Sequence, residues 1–494
     1  MIRRTSLPFL GFLFVFGALG GGREEYTRTF DKTVAVRPNQ KVYVEHRYGD
    51  VTIKTHPESN VVIHAAIKVS APDTNVAKIF ADRVEILVEP SSSELAIKTR
   101  YPDNAHSLGL SNCSYVVHYE LTLPETAPLA VRNSFGSVSV AGLKADSEII
   151  SSHGPIEFRD GRGSQRLENS FAKVRVANNA GDVAVEASNG AVDADDIAGA
   201  LSVRDRFASV SAARISKGVT ITNSNGSVQV TDSGGTGIVK NSFGSVTVHG
   251  FKGDLTVDTT NGKVEATNVE GAADLRTTFG EVTFGDIGHQ LSVHASNSTV
   301  SGQHVGGPLT IENSFGRVTV SDVQNGVFIR SGNGGVSLGN IRGEATVKTS
   351  FGMVRANDIA GLLQVENSNG GVQASNVRGA QVTTSFASVI LDNVSGPLRI
   401  MNQNGSVDAT SSLNGACQPI IIRTSFSTLR IHLQGDASYH VTARTSLGSI
   451  RTDFPLNVSG SLSNDNVSGN IGSGHCEMNL TNTNGSIEIL KAGS

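Results

Sequence analysis

Phenylalanine recurs at a fixed 36-residue interval through the middle of this chain, at positions 135, 171, 207, 243, 279, 315 and 351, and returns at 386 and 426. Between them stand His153, Asn189, Asn225, Asn261, Asn297, Asn333, Asn369 and Asn404, each half of that interval after a Phe. A fixed beat of this kind marks a repeat architecture, which grows by adding units instead of enlarging one core. The length of 494 residues therefore says little about the number of domains.

The stretch from Gly244 divides further into nines: GSVTVHGFK, GDLTVDTTN, GKVEATNVE, GAADLRTTF and GEVTFGDIG. Position 1 is usually Gly, positions 3 and 5 are usually aliphatic, and position 8 of alternate nines is apolar as well. Alternation at 3 and 5 has the period of a strand, so each nine reads as a short strand and a turn. One arm buries too few aliphatic side chains to offset the ordering of its own backbone, and it becomes stable only when the next coil stacks on it. The expected fold is all-β: a parallel β-solenoid, or β-helix, with ~18-residue turns built from two nine-residue arms. At about 4.8 Å per turn, roughly 17 to 18 turns would extend for roughly 85 Å. An 18-residue turn alternates Phe and Asn in one column and repeats the same aliphatic positions in every turn; a 36-residue turn, which the sequence leaves open, would separate them. The general bias of parallel crossovers makes a right-handed coil the expectation.

Four segments follow from this reading. Residues 1–22 look like a secretory signal. Arg3 and Arg4 precede a largely apolar run from Leu7 to Leu19, and Ala18-Leu19-Gly20 supplies small residues near a cleavage point. Such a run is too short to span a hydrocarbon core of ~30 Å as a helix. Residues 23–131 form an N-terminal β-rich cap with one short helix, built on Val76, Ile79, Phe80 and Arg83-Val84 and entered by Asp73-Thr74 as an N-cap. Residues 132–455 are the solenoid repeats. Residues 456–494 are C-terminal closing strands, with LTNTNGSIEILK as the final pair. The chain is thus expected to be exported, to the periplasm, the outer surface or the extracellular space.

Irregularities mark special places. Ala172, Ala208 and Ala387 replace the position-1 Gly, which suggests that close packing, more than a left-handed turn, selects that Gly. The arm GAQVTTSF is one residue short, and the interval from Asn404 to Phe426 is 22 instead of 18, so a loop bulges near Cys417 and Pro419. Cys417 and Cys476 are candidates for a disulfide in an oxidising compartment, leaving Cys113 free.

Candidate chemistry is sparse. The Phe column is expected in the core, where aromatic burial gains most, although an exposed recognition stripe is the alternative. Asn189, Asn225 and Asn261 are expected to bond turn backbone. A second polar column, Asn178, Asp196, Asp232, Asn268, Asp286, Asp322, Asn340, Asp358 and Asn376, reads as a series of Asx turns and lacks the glycine-rich calcium repeat. Asp193, Asp195 and Asp196 are the densest acidic group, but the companion motifs of β-helical polysaccharide hydrolases are absent. There is no zincin motif, Walker loop or C-x-x-C. No catalytic, cofactor-binding or metal-ligating residue is assigned. A net charge of -4 without a basic block excludes an electrostatic footprint for nucleic acid. The outward column Ser139, Arg175, Ser211, Thr247, Thr283, Thr319, Arg355 and Ile390 is too mixed for an ice-binding face.

The T/S-x-x-G-x-V pattern, the opening segments YGDVTIKT and YELTLP and the ending TNTNGSIEIL together resemble the bacterial putative-adhesin family, a β-strand-repeat domain of unknown function. The resemblance covers nearly all of the chain beyond residue 22 and implies an exported, β-helical, non-catalytic protein at the cell envelope, with no catalytic residues to carry over. The strict 36-residue beat departs from the looser family pattern and points to internal duplication. The expected function is therefore that of an exported adhesin or envelope structural protein, not an enzyme. Its partner would be an envelope glycan or a surface protein, with no nucleic acid and no small-molecule cofactor. The rivals are a carbohydrate-active β-helix enzyme with a groove near Asp193–Asp196 and a self-assembling envelope scaffold.

Overall fold

A computed structural model describes residues 23–102, 112–412, 418–458 and 463–492. Strand accounts for 69% of the chain, against one helix, and the body is a parallel β-solenoid of about 17 turns. The chain forms two compact units, Met1–Ser139 and Val140–Ser494. The leader expected at residues 1–22 lies outside the described residues.

In the second unit the shorter of the two expected turns is the one adopted. Val246 lies beside Val264 and Val264 beside Val282, while Leu255 lies beside Ala273 and Ala273 beside Leu291. Phe and Asn consequently alternate in a single column, Phe243 beside Asn261, then Phe279, then Asn297. Val246, Val248, Leu255 and Val257 are buried, as the strand alternation requires.

The two arms of a coil are built differently. An arm that ends in Phe or Asn turns positions 3, 5 and 7 inward, as in Leu255, Val257 and Thr259. The other arm turns in positions 3, 5 and 8, as in Val264, Ala266 and Val269. Its position 7 resets the alternation by entering the left-handed region, and all nine Asn and Asp residues of the second polar column do so, with φ between 47° and 57°. Asn and Asp tolerate this conformation better than other side chains. The column is thus a series of left-handed turn residues, but its side chains bond from coil to coil instead of closing Asx turns: Asn178 donates to Asp160 at 2.9 Å, Asn340 to Asp322 at 2.6 Å and Asn376 to Asp358 at 2.8 Å.

After Phe243 the position-1 Gly meets both demands placed on such a residue. Gly244 has φ +114°, and a Cβ there would lie 2.3 Å from the Gly226 carbonyl oxygen of the coil below. Its counterpart Ala387 is itself at φ +97°. Elsewhere the position is just as tight without positive φ: a Cβ on Gly262 would lie 1.9 Å from the Gly244 carbonyl oxygen and one on Gly253 2.0 Å from that of Gly235, so close packing is the more general demand, as expected.

The short arm and the long interval keep the stacking intact. Leu363 pairs with Ala380, one position short of a full coil, and the regular register resumes where Ala380 pairs with Leu398. Leu398 then pairs with Ile420 across the longer interval, whose residues 413–417 lie outside the described set. Near the C-terminus the spatial order departs from the chain order. The strand Cys476–Asn484 lies between Ile420–Phe426 and Tyr439–Thr445 and is parallel to both. Residues 480–491 therefore do not close the stack as expected, since the strand Tyr439–Thr445 lies beyond them and pairs antiparallel with Asn466–Ile471. The insertion puts Asn484 beside Phe426, so the alternation of the column survives the jump.

In the first unit, Glu24–Ala35 runs antiparallel to Asn60–Ala71, which runs antiparallel to Ser114–Pro124. The helix Thr74–Arg83 starts where expected: the Asp73 carboxylate accepts from the Asn75 and Val76 amides at 2.7 and 3.3 Å. Its buried face is Ala77, Phe80 and Ala81, with Ile79 left 48% exposed.

Candidate functional site

The Phe column is on the surface. From Phe171 to Phe426 its members are between 49% (Phe279) and 61% (Phe207) exposed, which overturns the expectation of core burial. The reason is that a different residue fills the inside of the corner. Two positions earlier stand Asn169, Asn241 and Asn313, or Thr277, Thr349 and Thr424, all buried. The Asn241 amide donates to the carbonyls of Gly226 at 3.0 Å and Gly244 at 3.1 Å, and Asn313 donates to Ser298 at 2.8 Å. The Thr277 hydroxyl donates to the Phe279 carbonyl at 3.1 Å. Where the chain leaves the strand ladder its carbonyls need donors, so the corner takes a polar peg and the next residues swing out. The signal is present in the triplets Asn-Ser-Phe, Thr-Thr-Phe and Thr-Ser-Phe, whose first member keeps the same beat as the Phe.

Of the three Asn residues expected to bond turn backbone, Asn189 and Asn225 do and Asn261 does not, while Asn404 adds a further case. The Asn189, Asn225 and Asn404 amides donate to the turn carbonyls of Ser170, Arg206 and Ser385 at 3.1, 3.3 and 3.3 Å. At His153 the imidazole takes the Asn position and stacks on Phe171, with ring centroids 4.7 Å apart and planes at 19°. Since adjacent coils are about 4.8 Å apart, a Phe recurs roughly every 10 Å along the face.

Beside this ladder runs a trough of about 1160 Å³, lined from Asp258 to Ser385 and so touching eight successive coils. Its floor is made of small side chains that follow the buried pegs, Ser296, Ser314, Gly332, Ser350 and Ser368. The wall is the outward position before the peg, where Arg276, His294, Glu312, Arg330, Lys348 and Glu366 stand in successive coils. Phe315 and Asn333 contribute from the ladder. Along the wall Lys348 pairs with Glu366 at 3.1 Å and His294 with Glu312 at 3.4 Å. Arg276 is held by Asp274 at 2.8 Å, and that hydrogen bond raises its pKa further above the ordinary value. The arrangement offers aromatic faces, amides, hydroxyls and balanced charge, a combination for holding a polar polymer.

The other candidates do not converge. Asp193 pairs with Lys173 and Asp195 with Arg214, while Asp196 is one of the left-handed turn residues. Among the described residues no group of three or more His, Cys, Asp or Glu side chains is placed to hold a metal ion. Asp205 is the exception among the corner pegs, a carboxylate where other coils carry Asn, Thr, Ser or Ala. It is buried, and burial raises its pKa against the opposing effect of the Ala208 amide, which it accepts at 2.9 Å. Cys113 is a free thiol and Cys476 is disulfide-bonded; the partner expected for it, Cys417, lies outside the described residues.

None of the curated proteins matches the chain. Among solved structures, the chain is similar to a putative cell adhesion protein from Clostridium sporogenes, with 12% identity and a TM-score of 0.21, over 36% of this chain and 100% of that one. The family model Toastrack DUF4097 matches residues 289–490, which take in much of the trough and the inserted C-terminal coil. Over those residues the solenoid is similar to the Toastrack DUF4097 domain, a domain of unknown function.

Proposed function

We propose that the protein is an exported, non-catalytic adhesin of the cell envelope, which holds an extended polymer along the face formed by the Phe and Asn ladder and the trough. The observation that carries this reading is the half-exposed Phe row, kept from Phe171 to Phe426. The buried pegs already satisfy the corners, so folding gives no reason to leave a large apolar ring in water at every second coil. Export is supported by Arg3 and Arg4 ahead of the apolar run, and by the disulfide-bonded Cys476, since disulfides persist in oxidising compartments. The absence of catalysis is supported at the densest acidic group, where Asp193 and Asp195 each face a cation instead of each other.

The test is sedimentation of the purified protein with isolated cell-envelope material, comparing the natural chain with a Phe279→Ala/Phe315→Ala/Phe351→Ala variant. Co-sedimentation lost in the variant supports the reading, and equal co-sedimentation of the two refutes the assignment of the ladder. A glycan-depolymerising activity abolished by Asp195→Ala would replace the adhesin with an enzyme.

A further inference from the structure

We infer that the polymer is a neutral, unbranched, extended β-linked glycan that lies across the coils with one sugar ring per coil. The inference rests on the adhesin reading and specifies its ligand.

Three observations carry it. The first is pitch. In an extended β-linked chain successive rings advance by close to the strand spacing of about 4.8 Å, and in a two-fold chain alternate rings present the same face. A Phe at every second coil, as in the register Phe279, Asn297, Phe315, Asn333, Phe351, therefore meets the same face of every second ring. The apolar C–H face of a sugar suits the π-face of Phe, and the intervening Asn offers an amide to the hydroxyls of the ring between. A polypeptide strand crossing the coils would meet successive Phe residues with every third residue, at about 3.3 Å each, and since its side chains alternate between faces only every second Phe would find one.

The second is charge. The trough carries Asp258, Glu312 and Glu366 against Arg276, Arg330 and Lys348, three of each sign. A polyanion would meet alternating attraction and repulsion, while a neutral chain finds donors and acceptors throughout. The third is the floor of Ser and Gly, which leaves room beside the rings for a hydroxyl-rich chain and makes hydrogen bonds of both polarities available. Lateral docking of a second copy is disfavoured by the same ladder. A stable protein interface needs about 800 Å² from each partner around an apolar centre, whereas each Phe here is separated from the next by an exposed amide.

The experiment measures binding of the natural full chain to cellohexaose and chitohexaose as neutral extended probes, to maltohexaose as a neutral helical probe, and to a sulfated glycan as a polyanion. The expected result is binding of one or both extended probes, with affinity that rises from the trisaccharide to the hexasaccharide and with little response to salt. Phe315→Ala should weaken it about two- to twelvefold, the value of one aromatic contact. Asn333→Ala should weaken it less. The shape of the probe decides the pitch argument: equal binding of maltohexaose overturns it, and preference for the sulfated glycan overturns the charge argument. If the extended probes neither bind nor displace the protein from envelope material to which it does sediment, the ligand class is wrong and the adhesin reading stands. If the protein does not sediment with envelope material at all, the adhesin reading itself fails. A chain that light scattering shows to be a dimer, made monomeric by the triple Phe variant, assigns the ladder to a second copy and overturns the inference.

Discussion

Replacing Asp205 by Asn should stabilise the solenoid, and the gain should depend on pH in a stated direction. Asp205 is 4% exposed, and one of its carboxylate oxygens accepts the Ala208 amide at 2.9 Å while the other has no partner. The neighbouring peg on the coil above, Asn223, shows what an amide achieves here. Its Nδ2 donates to the carbonyl of Ala208 at 3.0 Å. Asn169 does the same to Gly154 at 2.8 Å and also accepts the Ala172 amide at 3.0 Å. An amide in place of the Asp205 carboxylate would keep the bond from Ala208 and direct its new N–H groups at the Gly190 carbonyl. Removing a buried anion with an unpartnered oxygen and supplying that bond is worth about 1 to 3 kcal/mol. Burial raises the folded-state pKa of Asp205 above its ordinary value of 3.8. The folded state therefore binds more protons than the unfolded one as pH climbs through this window, and the natural chain loses stability as the carboxyl ionises. The advantage of Asp205→Asn is accordingly smallest below pH 3.8, grows as pH rises through the raised pKa and is constant above it. Urea-unfolding midpoints of the two proteins, compared at several values between acid and slightly alkaline pH, read this out. A variant that is less stable at neutral pH, or an advantage that does not change with pH, would refute the reasoning.

Asn241→Ala should cost about 1 to 3 kcal/mol, because it strips donors from the Gly226 and Gly244 carbonyls inside a buried corner; denaturant titration measures it. Phe351→Ala should change stability by less than about 0.5 kcal/mol, as for a surface position, where a core Phe would cost about 3 to 5 kcal/mol, so one melting comparison separates the exposed ladder from a buried one. In the first unit, His46 is buried and its pKa is pushed down to about 4 from 6.5. That unit should lose stability as pH falls from about 6.5 towards 4, since only the unfolded chain takes up the proton there; His46→Gln should flatten that part of the stability curve. A non-reduced digest analysed by mass spectrometry should link the peptides of Cys417 and Cys476, and recovery of both as free thiols would remove the disulfide from the argument for export.

The coil is legible because its residues repeat for a single physical reason. Val246, Val248, Leu255 and Val257 alternate with polar neighbours, and only burial of one strand face asks for that pattern. The turn column of Asn and Asp is legible as well, since few other side chains tolerate the left-handed region, although its coil-to-coil side-chain bonds are not. The Phe column misleads because hydrophobicity is a statement about cost and not about location. At the corner the backbone needs donors more than the core needs volume, and Asn241 or Thr277 claims the inward site before Phe243 or Phe279 can. The trough is not legible at all. Its wall residues, Arg276, His294, Glu312 and Arg330, share no chemical type and become neighbours only once the shorter turn has been chosen over the longer.

The inequality of the two arms decides what the repeat tolerates. Removing residues 244–279 excises two whole coils, brings Phe243 beside Gly280 in place of Gly244, and preserves both the arm order and the Phe and Asn alternation. Removing a single nine-residue arm exchanges Phe with Asn on sequence grounds alone, but the structure gives a stronger reason for failure. It would set an arm with inward positions 3, 5 and 7 against one with inward positions 3, 5 and 8, so the left-handed residue would face a strand with no matching kink. Removing one whole coil, 244–261, is the informative intermediate. Every buried position still meets its own kind, so the coil should fold, but two Phe residues become adjacent in the column. Stability should then follow the arms and binding should follow the phase. Circular dichroism should show the one-coil and two-coil deletions folded and the single-arm deletion disrupted, while only the two-coil deletion keeps envelope binding in full. Equal melting of the single-arm and one-coil deletions would mean that the arms are interchangeable, and the separation of a buried framework from a freely varied ladder would fall with it.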